Sequence, residues 1–455
     1  MKLEVVILAA GQGTRMRSSL PKVLHPLASR PLLAHVLDAA RELTPIRLHV
    51  VIGHGAETVR ERLDAPDIEW VLQTEQLGTG HAVLQALPGI DDDSTVLVLY
   101  GDVPLLRSET LGQLVENSPA LLTADLDDPT GYGRVLRDDA DQLQGVVEHK
   151  DASEEQRSIC EINTGVLAYP ASLLKAYLPR VGNANAQGEY YLPDVLSMAV
   201  EEGHCVGALR APEASETMGI NDRRQLAQAE ATYRARVADE LMTAGVSLAD
   251  PARIDVRGRL RCDADVFIDV NCVFEGDVEL GKGVTIGPNC VLCNCSIEAG
   301  TTVNAMSHID EAKVATDCQI GPYARLRPGT TLATGARIGN FVETKKAQIG
   351  AGSKVNHLSY IGDATLGSGV NIGAGTITCN YDGIAKHPTT MGDGVFVGSN
   401  STLVAPLDIG DGGFVGAGST VTRDIPAESL GVARGKQRNI NNWQTPKQRA
   451  AGESD

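Results

Sequence analysis

Apolar residues recur along this chain in two different rhythms. Up to about residue 220, short apolar strands alternate with helical stretches, in the order Leu3 to Leu8, Leu32 to Leu43, Leu48 to Ile52, Val83 to Leu87 and Thr95 to Tyr100. That alternation predicts a parallel sheet covered by helices, and in such sheets ligands gather at the carboxyl ends of the strands. Residues 222 to 245 contain no proline and space Leu226, Tyr233, Val237 and Leu241 near the helical period, with Gly245 as a stop. They predict a linking helix.

Beyond that helix the beat becomes six. Ile320, Leu326, Leu332 and Ile338 fall six residues apart, and four residues after each come Ala324, Thr330, Ala336 and Val342, all small or β-branched. The register returns at Ile349, Val355 and Ile361, with Ser353, Ser359 and Thr365 in the small slots, and again at Met391, Val397, Leu403, Ile409, Val415 and Val421. Residues 254 to 300 are less regular but keep the beat at Leu280, Ile286 and Leu292. Neither a helix nor a strand has a period of six, whereas a triangular coil with one hexapeptide per face does. Each face then points one aliphatic inward. A filled interior leaves little room for polar chemistry, so function is expected at corners and in the insertion "CNYDGIAKHP", residues 379 to 388. The expected domains are residues 1–222, a linker helix at 223–246, and a repeat domain at 247–455 with a polar tail from Arg434.

Composition supports the repeat reading. Aromatic residues make up 4% of the chain and glycines number 48, so the core is built from aliphatic and small side chains. The net charge of -18 disfavours nucleic acid or anionic membrane as partners. Nine cysteines, an odd number without framework spacing, read as reduced thiols. Cys290, Cys293 and Cys295 occupy different slots of the hexapeptide register and point apart, which makes them filler rather than zinc ligands. The start Met1-Lys2-Leu3-Glu4 enters a strand directly, and no apolar run approaches the roughly 20 residues of a membrane span. A soluble, cytoplasmic protein is expected.

The first strand runs into "LAAGQGTRMRSSLPK", residues 8 to 22, which carries two glycines of a dinucleotide-binding fingerprint. The third is missing, because Met16 stands there, and the next strand ends in Gly53-His54-Gly55 rather than in an acid for a ribose. NAD binding is thereby excluded. What remains is a glycine loop followed by Arg15, Arg17 and Lys22, suited to an anion larger than one phosphate. In "YGDVPLL", Asp102 closes the strand that begins near Thr95, where a hard cation would be held by one or two protein oxygens plus substrate phosphates.

"LAAGQGTRM" with "PKVLH", "EQLGTGHA", "YGDVPL", "DDPTGYGR", "EHKDA", "EINTG" and "NAQGEYYLPD" resemble the uridylyltransferase half of the bacterial bifunctional N-acetylglucosamine-1-phosphate uridylyltransferase / glucosamine-1-phosphate acetyltransferase. "GPYARLRPG", "GNFVETKKA", "NIGAGTITCNYDG" and "VFVGSN" resemble its acetyltransferase half. The resemblance implies an α/β Rossmann-like nucleotidyltransferase domain followed by a left-handed parallel β-helix of hexapeptide repeats, assembled as a homotrimer. It implies acetylation of glucosamine-1-phosphate by acetyl-CoA, then transfer of UMP from UTP to N-acetylglucosamine-1-phosphate, supplying peptidoglycan and lipopolysaccharide precursors. By the same matching, Leu8, Ala9, Ala10, Gly11, Arg15 and Lys22 line the nucleotide, and Gln73, Gly78 and Thr79 read the uracil. Tyr100, Gly101, Gly133, Glu148 and Asn163 hold the amino sugar, and Asp102 and Asn221 bind Mg²⁺. In the second half, His357 is the base, and Arg327, Lys345, Tyr360 and Asn371 bind glucosamine-1-phosphate. Ala374, Asn380, Tyr381, Ser399, Ala417 and Arg434 meet acetyl-CoA, with backbone amides near Ala374 as oxyanion donors. Thr344 departs from the family, where methionine is common.

Two rival readings differ in class. A carbonic anhydrase built on the same solenoid needs three histidines around a metal, for which His308, His357 and His387 supply the count. A sugar nucleotidyltransferase whose β-helix only oligomerises or regulates, as in ADP-glucose pyrophosphorylase, lacks the histidine, basic and "NYDG" groups seen here.

Overall fold

The computed structural model describes residues 2–452 and divides into two compact units, one ending at Val237 and the other beginning at Ala238. The first unit is a nine-stranded sheet made of β1 (Lys2–Ala9), β2 (Arg47–Ile52), β3 (Ile68–Leu72), β4 (Ser94–Tyr100), β5 (Ala120–Asp125), β6 (Gly133–Arg137), β7 (Leu143–Val147), β8 (Glu161–Pro170) and β9 (Gly207–Arg210). Its order is β9-β5-β8-β4-β1-β2-β3, with β6 on β8 and β7 on β6. Strands buried on both faces read as continuous apolar runs. Accordingly Val5, Ile7, Leu97 and Leu99 feed the core on one side of the sheet, and Val6, Val96 and Val98 the core on the other.

The sheet is mixed rather than parallel. β1, β2, β3 and β4 run parallel, but β8 is antiparallel to both β4 and β5. The reason is local: between β5 and β8 the chain makes the hairpin β6–β7 instead of a helical crossover, so β8 enters in the opposite sense. That hairpin supplies a lobe beside the carboxyl ends of β1 and β4.

The helix Arg223–Thr243 spans the division between the units. Its first turns bury Ala229, with Leu226 and Tyr233, against Leu27, Leu32, Leu105 and Ile220.

The second unit is a parallel β-helix, with every ladder between its coils parallel. One ladder sets Ile320 beside Ile338, then Val355, Ile372, Val397 and Val415, all buried. Successive coils are therefore 18, 17, 17, 25 and 18 residues long. The beat of six drops to five once in each 17-residue coil. Thr344 takes an inward slot in the column Leu326, Thr344, Ile361, Thr378 and Leu403, is fully buried, and shares a hydrogen bond of 3.1 Å with the buried Thr330 hydroxyl. The same shortening moves the small slot by one residue, from Thr365, which is exposed, to Ala364, which is buried beside the inward Leu366.

Candidate active sites

At the carboxyl edge of β1 and β4 lies an open cleft of about 230 Å³. Leu8, Ala9, Ala10, Gly11, Lys22, Gln73, Gly78, Thr79, Tyr100 and Asp102 line it, together with Val23, Gln76, Ala82 and Glu189. The glycine loop does not open a long helix; after Gly13 the chain makes only the short turn Thr14–Met16, with Met16 buried. Positive charge at this edge therefore comes from side-chain cations more than from a helix dipole. One wall is closed by residues 185–193, where Gly80 N donates to Tyr190 O at 2.8 Å, Tyr190 N to Leu77 O at 2.9 Å, and Leu192 N to the Thr79 hydroxyl at 3.1 Å. Gly78 sits at φ +113° with the Tyr190 backbone against it, so a side chain has neither the conformation nor the space.

The Lys22 ammonium reaches across the cleft to the Asp102 carboxylate and donates to Asn221 Oδ1 at 3.2 Å. Arg15 donates to the same Asn221 oxygen at 2.9 Å. The carboxylate and the amide oxygen, 119 residues apart in sequence, thus converge on one cation. Two hard oxygen donors facing a common positive charge are the donor set that Mg²⁺ takes with substrate phosphates.

Gly133, Glu148 and Asn163 meet in the hairpin lobe, Gly133 pairing with Asn163. A β-carbon at Gly133 would stand 3.0 Å from Glu148 Oε1 and 3.4 Å from Asn163 Cβ, so the glycine is what lets the three approach. Burial, reinforced by the carboxylates of Asp194, Asp151 and Glu189, pushes the Glu148 carboxyl above its usual range. Burial likewise pushes the Tyr100 phenol up, with a Thr79 hydrogen bond opposing it. Gly101 N donates to Leu8 O at 2.9 Å, which ties the strand end carrying Asp102 to the start of the glycine loop.

In the β-helix, one corner carries a column that no local motif reveals. Asn340 pairs with His357 in the ladder, Gly375 N donates to His357 O at 3.4 Å, Asn400 N to Ala374 O at 2.7 Å, and Gly418 N to Ser399 O at 2.8 Å. Arg434 closes the column by donating to Ala417 O at 2.7 Å. Asn340, His357, Ala374, Ser399 and Ala417 therefore stand above one another on successive coils, with the Arg434 side chain lying against the last. His357 is exposed, and its Nδ1 lies 2.9 Å from Asn340 Oδ1. An amide oxygen can only accept, so Nδ1 carries the proton and Nε2 presents its lone pair outward. Tyr360 and Asn371 lie on the two faces that meet along this corner.

Arg327 and Lys345 stand at the other edge of the face that begins at His357. Lys345 pairs with Gly362, five residues beyond His357. Arg327 is held by Glu343 at 2.7 Å. The Lys386 amine beside Lys345 pushes that ammonium below its usual range, with burial and Arg327 acting the same way and Asp363 opposing. Asn380 donates to Asp363 at 2.5 Å, and Tyr381, exposed in the insertion, donates its hydroxyl to Gly383 O at 2.7 Å. Within the insertion, backbone amides of Ala385 and Ile384 with the His387 ring hold Asp382 well below the carboxylate range.

Sequence reasoning missed Asn340, Lys386 and the partners Glu343 and Asp363. Asn340 could have been found by counting back one coil, 17 residues, from His357. Among the described residues no group of three or more His, Cys, Asp or Glu within the chain could hold a metal ion. All nine cysteines are free; burial pushes Cys290 and Cys295 up to about 12, so they are neutral filler.

The family described as the MobA-like NTP transferase domain matches residues 5–159, and the bacterial transferase hexapeptide family matches residues 263–294. The bifunctional protein GlmU of Marinobacter nauticus is 58% identical over 449 residues, covering 98% of this chain and 99% of its own. GlmU of Cellvibrio japonicus is 58% identical over 448 residues, with 98% and 99% covered. GlmU of Alkalilimnicola ehrlichii is 57% identical over 450 residues, with 98% and 97% covered. Identity above one half over nearly the full length of both chains means that this chain belongs to the family of the bifunctional protein GlmU.

Proposed function

We infer that the chain performs two transfers in sequence: acetylation of glucosamine-1-phosphate by acetyl-CoA on the β-helix, and uridylylation of N-acetylglucosamine-1-phosphate by UTP in the cleft. Membership of the GlmU family supports both activities. The observation that carries the residue assignments is the corner column, in which a histidine with one nitrogen committed to Asn340 is stacked on Ala374, Ser399 and Ala417, with Arg434 against the last.

In acetyl transfer, the substrate amine attacks the thioester carbonyl carbon, His357 Nε2 takes the amine proton, and the CoA thiolate leaves. Asn340 keeps the ring in the tautomer that makes Nε2 basic. Gly375 N makes only a long bond to His357 O, so the Ala374–Gly375 turn is the reading for the oxyanion donors. Arg327, Lys345 and Lys386 draw the sugar phosphate. In the cleft, the sugar 1-phosphate oxygen attacks the α-phosphorus of UTP in line, and pyrophosphate departs. Lys22 and Arg15 screen the charge that grows on the leaving group. Asp102 and Asn221 would hold Mg²⁺, which when bound neutralises phosphate charge.

A homotrimer is the assembly we propose. Met306, Tyr323, Phe341 and Leu358 stand one residue beyond the His357 column on four successive coils, at φ between +48° and +60°. Each is about half exposed, between 47% and 62%. Bulky side chains at left-handed φ cost about 1 kcal/mol apiece, and exposed apolar area adds to that. Packing against a second copy recovers the area and brings another corner toward His357. No described helix is long and apolar enough to cross a membrane, and a cytoplasmic setting fits the free thiols.

Incubation with glucosamine-1-phosphate, acetyl-CoA, UTP and Mg²⁺ is the test. UDP-N-acetylglucosamine should form; His357→Ala should abolish the acetyl step and spare uridylylation of supplied N-acetylglucosamine-1-phosphate, and Asp102→Ala should do the reverse. A chain with Ala at 357 that still releases thiol would overturn the assignment.

A further inference from the structure

The nucleotide end of the cleft contains a chain of three side chains of which only one touches the cavity. Gln73 follows β3, is almost fully buried, and has its backbone fixed by donation to Ile52 O at 2.8 Å. Its Nε2 lies 3.0 Å from His81 Nδ1 and 3.4 Å from Gly78 O. On the far side of the ring, His81 Nε2 is 3.1 Å from the side-chain amide of Gln85, which also approaches His81 O at 3.3 Å.

A neutral imidazole has one donor and one acceptor, so one of the two glutamines must present its oxygen to the ring and the other its nitrogen. Each amide also has a backbone carbonyl beside it, which favours nitrogen on that side. The conflict is decided by burial. Gln85 is partly exposed and can turn its amide at little cost, because water satisfies what it loses. Gln73 is sealed, and aiming its oxygen at Gly78 O would set two acceptors together without water. Gln73 therefore keeps Nε2 toward His81 and Gly78, the ring proton sits on Nε2, and Gln85 accepts it. What is left for the cleft is the Gln73 carbonyl oxygen.

We propose that His81 is a specificity-positioning residue: by holding the Gln73 carboxamide nitrogen away from the cleft, it presents an acceptor to the nucleobase and so selects uracil over cytosine. Uracil offers an N3–H donor to such an oxygen, whereas cytosine offers the bare N3 lone pair and is repelled. The inference deepens the uridylyltransferase reading and rests on Gln73 facing the base.

The test compares kcat/KM for UTP and CTP, with N-acetylglucosamine-1-phosphate as acceptor, in the full chain. His81→Phe keeps a flat ring but removes both nitrogens, which frees the amide to turn; the UTP preference should narrow by roughly 10- to 100-fold. His81→Asn, whose Oδ1 can accept where Nδ1 did, should restore most of the preference. Equal losses for both nucleotides in His81→Phe, with an unchanged ratio, would overturn the proposal, because a merely structural ring would act that way. If His81→Phe fails to fold by circular dichroism, the same ratio measured in His81→Ala decides. Gln73→Leu is the control on the underlying reading. If it leaves the ratio untouched, Gln73 does not face the base; if it narrows the ratio while the His81 variants do not, only the role of His81 falls.

Discussion

Removing the Asn340 side chain isolates the part of acetyl transfer that comes from orienting the base. Asn340→Ala deletes the 2.9 Å bond to His357 Nδ1 but leaves the imidazole on its corner, since the ladder pairing of the two residues is made by backbone. The pair is exposed, and such a neutral hydrogen bond contributes about 0.5–1.5 kcal/mol net. At about 1.4 kcal/mol per factor of ten, that is a roughly 2- to 12-fold loss in the population of correctly protonated, correctly aimed rings. Loss of a general base itself costs roughly 10²- to 10⁴-fold. Thiol release from acetyl-CoA should therefore fall severalfold in kcat for Asn340→Ala, with KM for acetyl-CoA little changed, and at least about a hundredfold for His357→Ala. Asn340→Asp retains an acceptor and should recover most of the Asn340→Ala loss. The double variant should be no slower than His357→Ala alone. If Asn340→Ala proves as damaging as His357→Ala, or if it slows the double variant further, Asn340 acts on the reacting atoms and the orienting argument fails.

Two further outcomes test the packing beneath the sites. Glu161, in β8, accepts from Arg137 at 2.6 and 2.7 Å and from Arg210 at 3.3 Å; although burial alone would raise it, these arginines bring its carboxyl down to about 2 from an ordinary 4.5. A depressed carboxyl stabilises the fold above its unfolded value and loses that contribution as pH falls. Thermal unfolding of the native chain should lose its advantage over Glu161→Gln between about pH 4.5 and pH 2, and a constant difference across that window would contradict the pairing. Thr344→Val should destabilise the β-helix by about 1–3 kcal/mol by stranding the Thr330 hydroxyl, whereas Thr330→Val with Thr344→Val should come back close to native stability; additive losses in denaturant melts would show that the two hydroxyls do not depend on each other.

The repeat architecture was readable because an inward aliphatic every six residues is a signal no helix or strand imitates. The coil lengths were not, because they follow from where a five-residue step replaces a six, and Thr344 hides one such step by filling an inward slot with a hydroxyl partnered by Thr330. Hence a count by six puts Thr365 in the small slot that Ala364 fills. The same arithmetic concealed Asn340, which looks unrelated to His357 until 17 residues are recognised as one turn. In the first unit the strand positions followed from apolar runs, but direction did not: only the hairpin between β5 and β8 makes the sheet mixed. The cleft residues were identified through resemblance, motif by motif. Side chains behind them, such as His81 and Gln85, carry no motif of their own, and their relation to Gln73 exists only once the helix Thr79–Ala86 is laid beside β3.

The 25-residue coil between Ile372 and Val397 leaves those two residues in register despite its extra length. All of the surplus is expelled at a corner, around Gly383 and the fully exposed Ile384. Growth or trimming of that excursion can thus remodel one corner without disturbing a single rung, whereas a change within a face has to be absorbed inside its own coil, as the five-residue steps are.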